Sequence, residues 1–157
     1  MRDAEPMTWL VLCTHAWATC GMAGLIWFVQ IVHYPLMAKV GVERYAAYQR
    51  SHEARTPWVV APLMLIEAAT SVALLWLMRA QPWGVAIAWT GAGLLAVIWA
   101  STFLLQVPAH QQLGGGFDAQ AHRRLVSSNW IRTFAWTARG VLAIVLLYPG
   151  AWFDRTG

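Results

Sequence analysis

The chain has 157 residues, the size of one domain, yet 59% of them are hydrophobic and only 11% charged, with eleven tryptophans and a mean hydropathy of +0.48. That composition excludes an ordinary soluble domain and points to an all-α chain held in a membrane. The formal charge of +4 comes without a basic run interleaved with stacking aromatics, so it reads as a topological bias and excludes a nucleic-acid partner.

The N-terminal MRDAEPM balances Arg2 with Asp3 and Glu5. The apolar run behind it is too long for a signal-peptide core and lacks a small-x-small cleavage site, so a retained first span over 8–34 is expected. Cys13 and Cys20 lie seven apart on one helix face. A disulfide there would have to bridge about 10 Å of helical rise, so two buried free thiols are expected.

Further apolar stretches over 58–78, 83–107 and 130–148 bring the total to four spans in a single domain covering 1–157, each long enough for a bilayer core of about 30 Å. Pro35, Thr56-Pro57, Gln81-Pro82, Pro108, Gly114-Gly115-Gly116 and Pro149-Gly150 separate them as breakers. Trp9, Tyr34, Trp58, Trp83, Trp130, Tyr148 and Trp152 fall at the ends as an interfacial aromatic belt. Between the first two spans, residues 42–55 contain no Gly or Pro and repeat Tyr45, Tyr48 and His52 at helical spacing, which predicts an interfacial amphipathic helix under a four-transmembrane-helix bundle. Asp118 predicts an N-cap for a fourth helix that starts near residue 119 and continues into the membrane.

Four spans place both termini on one side. The long loops carry Lys39, Arg44, Arg50, Arg55, Arg123 and Arg124, against Arg2, Arg79 and Arg155 opposite. The positive-inside bias then puts the loops in the cytoplasm and both termini outside an inner (plasma) membrane.

Ionisable residues inside such a bundle are costly and face inward. Glu67 and Arg139 each lie nine residues past the tryptophan that opens their span, about 13 Å below the same surface, and so predict an ion pair at matched depth. Nearer the loops, Thr102, Gln106 and His110 recur at i, i+4, i+8. On the fourth helix His122, Asn129, Thr133, Trp136 and Gly140 lie within roughly 40° of one line, with Arg132 and Arg139 at its edge. Gln30 and His33 sit one turn apart at the end of the first helix, where Tyr34 reads as an interface anchor and Pro35 as the stop.

His33, His52, His110 and His122 thus gather at the loop end from four segments, while His15 lies about 27 Å from His33 along its helix. They are candidate ligands for iron or copper, with Glu67 or Glu53 completing a mixed site. The alternative is that each histidine is a hydrogen-bonded structural group, since no His-x-x-His, Glu-x-x-His or Cys-x-x-Cys pair is present. A haem held by two histidines is a weaker fit without an attachment motif. Nucleophile-elbow, phosphate-loop and dinucleotide templates are absent.

The HYPL end of the first helix (His33 to Leu36), the VPAH end of the third (Val107 to His110) and the NWIRT start of the fourth helix's span (Asn129 to Thr133) resemble small bacterial four-helix membrane proteins of unknown function. They are distantly similar to the anthrone oxygenase-like membrane family. The resemblance implies a pocket for a flat lipophilic substrate near the cytoplasmic face, and oxygenation chemistry.

The expected activity is therefore oxidoreductase or oxygenase-like, on a small lipophilic molecule entering from the bilayer. His33, His110, Arg132, Arg139 and Glu67 are the candidate catalytic residues; Gln30, Gln106, Asn129 and Trp136 are candidates for holding a cofactor. Two other classes stay open. One is a proton-coupled transporter gated at Glu67–Arg139; the other is an accessory subunit of a larger membrane complex, or a homo-oligomer, binding lipid, quinone, haem or pigment.

Overall fold

The computed structural model describes residues 4–148. A largely apolar run, interrupted only by single polar residues such as His15 and Thr19, forms α1 (Ala4–Phe28), which passes through a π-helical turn (Val29–His33) into α2 (Tyr34–Met37). After a short turn in which Gly41 takes a positive φ of 82°, α3 (Val42–Leu77) runs back. α4 (Pro82–Ser101) begins with proline at its first turn, where the missing N–H is no loss. It leads through a second π turn (Thr102–Gln106) into α5 (Val107–Gly114), and α6 (Ala119–Leu146) closes the bundle. Asp118 caps α6, its Oδ1 accepting from the backbone N–H groups of Gln120 at 2.7 Å and Ala121 at 2.8 Å. These two bonds hold the Asp118 carboxyl below the usual carboxylate range.

Four helices pack together: the α1–α2 unit, α3, the α4–α5 unit and α6. Three are long and apolar enough to cross a membrane: Pro6–Met37, Val42–Leu77 and Pro82–Gly114. The polar stripe of α6 faces inward, its His122, Asn129, Thr133, Trp136, Arg139 and Gly140 all buried. Three apolar layers fill the axis. Leu12, Leu74, Met78, Ala88 and Leu146 pack at one end, Met22, Ile26, Met64, Ile98 and Trp136 in the middle, and Tyr34, Met37, Tyr45, Leu113 and Leu125 at the other.

Several sequence expectations change. Pro35 does not stop the first helix, and Pro108 does not turn the third. In both, a five-residue π turn and one further residue precede the proline, and the residue before the proline bonds five positions back: Tyr34 to Val29 O and Val107 to Thr102 O. The wider turn relieves the clash between the proline ring and the carbonyl four residues earlier. The separate interfacial helix over 42–55 is also absent. That segment is the first part of α3, which passes Pro57 and Pro62 without ending. Tyr45 and Gln49 are buried at 1% and 0% exposure, so this segment packs into the bundle and does not lie beneath it. The connections are therefore only 38–41, 78–81 and 115–118. What read as long loops are helical extensions.

Lys39, Arg44, Arg50, Arg55, Arg123 and Arg124 are all exposed. So are Trp58, Trp83 and Tyr148, which face outward as belt residues would. Tyr34 instead is 2% exposed and belongs to the interior. Both cysteines are free, but Cys13 is exposed and Cys20 half-buried, because α1 turns this face only partly toward its neighbours. Arg2, Asp3, Pro149-Gly150, Trp152 and Arg155 lie outside the described residues.

Candidate functional site

The polar interior divides into two levels along α6. At the deeper one, Arg139 Nε donates to Glu67 Oε1 at 2.8 Å, with both side chains at 1% exposure or less. Trp136 Nε1 donates to Glu67 Oε2 at 3.0 Å. Arg139 Nη2 donates to Ser71 Oγ at 3.0 Å, and its Nη1 to the carbonyl of Gly91. The pair expected from matched depth forms, and three helices supply its partners. Beside it lies a space of only about 10 Å³. His15 belongs to this end of the bundle, with Nδ1 2.9 Å from Thr70 Oγ1.

The second level is open. A cavity of about 590 Å³ lies between α3 and the α4–α5 unit, backed by α1 and α6. Its walls are apolar, from Met22, Ile26, Val29, Val60, Met64, Trp99 and Phe103, and its polar end is formed by Tyr34, His52, Glu53, Thr102, Gln106, His110 and Arg132. Ala61 and Leu65 on one flank and Phe103 on the other are exposed outward, so the opening is lateral. Volume and lining match a small-molecule site: mostly apolar, with a few converging polar groups.

The π turns position this end. After the first, Tyr34 points inward; the second lets Thr102, Gln106 and His110 all reach the cavity past Pro108. The amide of Gln49 bridges Glu53 Oε1 at 2.9 Å and His110 Nδ1 at 2.9 Å. Because an amide NH₂ only donates, His110 Nδ1 must accept, which puts the ring proton on Nε2. From there it donates to Tyr34 Oη at 3.3 Å. Arg132 Nη2 also donates to Tyr34 Oη, at 3.4 Å. With two donors on its oxygen, the Tyr34 hydroxyl has its own proton left to give.

Arg132 is aimed from behind by a relay of amides. Its Nε donates to Asn129 Oδ1 at 3.0 Å, Asn129 Nδ2 donates to Gln30 Oε1 at 2.7 Å, and Gln30 donates to the Val126 carbonyl at 3.3 Å. Gln30 and Asn129 therefore position Arg132 and do not meet the cavity themselves. Gln106 donates to Ser128 Oγ at 2.9 Å, while its buried Oε1 has no partner.

The four-histidine metal set does not form. His33, His52 and His110 do line up, with ring centroids 4.6 Å and 5.3 Å apart. Among the described residues, however, no group of three or more His, Cys, Asp or Glu is arranged to hold a metal ion. His33 Nε2 lies 3.1 Å from His52 Nδ1, behind the cavity wall. His122 bonds the backbone carbonyl of Tyr34 through Nε2 at 2.8 Å and packs on Phe117, fixing α6 to α2.

Of the other candidates, His110, Arg132, Gln106 and Trp136 line the cavity, whereas Glu67 and Arg139 meet it only through Trp136. Gln49 and Thr56 were not singled out from sequence, and Tyr34 was read only as an interface anchor. The Gln49–Glu53 spacing of four on a breaker-free helix was a usable signal for the first. The chain matches no family model, no curated protein and no solved structure, so the resemblance in HYPL, VPAH and NWIRT identifies no family, and the chain stands as a small all-helical protein with several long apolar helices.

Proposed function

We propose that the protein is a multi-pass membrane protein that admits a small lipophilic molecule from the bilayer into the lateral cavity and acts on its polar head. The observation behind this reading is the cavity itself: about 590 Å³, apolar along its walls, with His52, His110, Tyr34 and Arg132 together at one end. In this reading α6 is the fourth crossing, its exposed Phe134, Val141 and Ile144 meeting lipid, and the basic loop end is cytoplasmic.

The activity that best fits is oxidoreductase or oxygenase-like, on a phenolic or enolisable lipophile. His52 takes the acidic proton and His33, 3.1 Å behind it, carries it onward. Arg132 and the Tyr34 hydroxyl hold the oxyanion while its nucleophilic carbon adds dioxygen, the oxidant; the substrate peroxide so formed takes up a proton and loses water, leaving a carbonyl at that carbon. No protein-bound metal enters this scheme.

Native mass spectrometry of the protein in lipid nanodiscs tests the binding half. The parent is expected to retain a lipophile that Ala61→Trp, which fills the cavity mouth, excludes. Oxygen uptake with lipophilic phenols tests the chemistry and should disappear in His52→Ala. A parent that retains no lipophile, and consumes no oxygen with any such compound, would remove this reading.

A further inference from the structure

Arg132 and Arg139 lie on the same helix, and only Arg139 has a carboxylate. Glu67–Arg139 is the only ion pair among the described residues. Arg132 lines the cavity with neutral partners alone: Asn129 Oδ1, reached by Nε at 3.0 Å and by Nη2 at 2.5 Å, Tyr34 Oη at 3.4 Å and Thr102 Oγ1 at 3.5 Å. The last two are long, and the guanidinium has five N–H donors to place. A cation drawn partly out of water is best held by a countercharge. The nearest carboxylate on the cavity wall, Glu53, is engaged by Gln49 and makes no ion pair with Arg132.

The neighbours point the same way. The proton that Gln49 assigns to His110 Nε2 makes His110 a donor to Tyr34, and Tyr34 in turn a donor toward the cavity. Arg132 and Tyr34 thus present N–H and O–H groups to one point at the polar end of an apolar chamber. A planar guanidinium flanked by a hydroxyl donor is a receptor for a carboxylate or a phenolate.

We infer that the cavity's ligand is a lipophile with an oxyanion head, a carboxylate or a phenolate, which supplies the missing countercharge to Arg132 and accepts from Tyr34. This rests on the lipophile-binding reading above and goes beyond it by fixing the head's charge before any reaction. The aperture between α3 and α4–α5 lets the apolar part trail toward the bilayer while the head reaches Arg132.

The test uses the full chain in nanodiscs of zwitterionic lipid and four probes: decanoate, decanol, decyltrimethylammonium and an alkylated nitrophenol ionised at neutral pH. Thermal unfolding midpoints are followed against probe concentration. The anions are expected to raise the midpoint and to bind at least about tenfold tighter than decanol, with no effect from the cation. Arg132→Gln should bring the anions down to the level of decanol, and Arg132→Lys should keep part of the preference. The nitrophenol adds a spectroscopic reading, since its bound form should stay ionised at a lower pH than in nanodiscs alone. A larger response to decanoate than to the nitrophenolate identifies a fatty-acid type of ligand, and the reverse an aromatic one. Equal binding of anion, alcohol and cation by the parent overturns the inference while leaving the lipophile site standing. Absence of binding by every probe overturns both. Should Arg132→Gln fail to fold, the order of the probes on the parent still decides.

Discussion

Two arginines seven residues apart on α6 are treated in opposite ways. Arg139 is closed in: a carboxylate, a serine and a backbone carbonyl surround it, and Trp136 holds the other oxygen of the same carboxylate. Arg132 is aimed by Asn129 and Gln30 and faces a cavity whose lining carboxylate, Glu53, is engaged by Gln49 and makes no ion pair with it. A charge whose partners are all supplied by the chain serves to lock helices together. One oriented precisely enough to bind but left without a countercharge is available to a ligand.

The comparison breaks most readily at the closed arginine. Arg139→Leu leaves Glu67 as a buried unpaired carboxylate and is expected to lower stability by about 3–5 kcal/mol, read as loss of folded protein in detergent or a sharply lower unfolding midpoint. Replacing both partners, Glu67→Leu with Arg139→Met, should recover most of that loss. A stable single variant would show that the pair does not clasp α3 to α6.

Trp136→Phe keeps the ring in the middle layer but removes the donor to Glu67 Oε2. A loss of about 1–3 kcal/mol is expected, since one carboxylate oxygen then has no partner. Arg132→Gln should cost less, about 1 kcal/mol or under, because no carboxylate is orphaned; its effect belongs to ligand affinity. If the two arginine variants unfold alike, the division into clasp and receptor fails.

The smallest effect expected is at Asp118. Its bonds to the N–H groups of Gln120 and Ala121 hold its folded carboxyl below the ordinary value. The stabilisation is therefore present above the unfolded value and is lost as pH falls through the folded one. Unfolding midpoints followed into acid should show a decline that Asp118→Asn, a cap without that titration, lacks. An identical acid profile for the two chains would show that the cap does not titrate.

Composition and pattern made the bundle legible. Long apolar runs admit only helices in lipid, and the depths of Glu67 and Arg139, counted from the start of each span, placed the ion pair before any contact was seen. The Asp118 cap and the inward stripe of α6 were readable for the same reason: each depends on neighbours close in sequence.

What sequence could not decide was where the helices continue and which polar residues face one another. Pro35, Pro57 and Pro108 read locally as breakers, but Pro35 and Pro108 follow π turns and Pro57 lies inside α3, which runs on through Pro62 as well. Those π turns redirect Tyr34 from the surface to the centre of the site and carry His110 past a proline to meet it. The rotation of each helix likewise put His122 on a backbone carbonyl and His33 behind His52, dissolving a metal set that counting residues had assembled. Local spacing fixes the face of one helix. The meeting of four faces, and so the cavity with its arginine awaiting a countercharge, exists only once the bundle has packed.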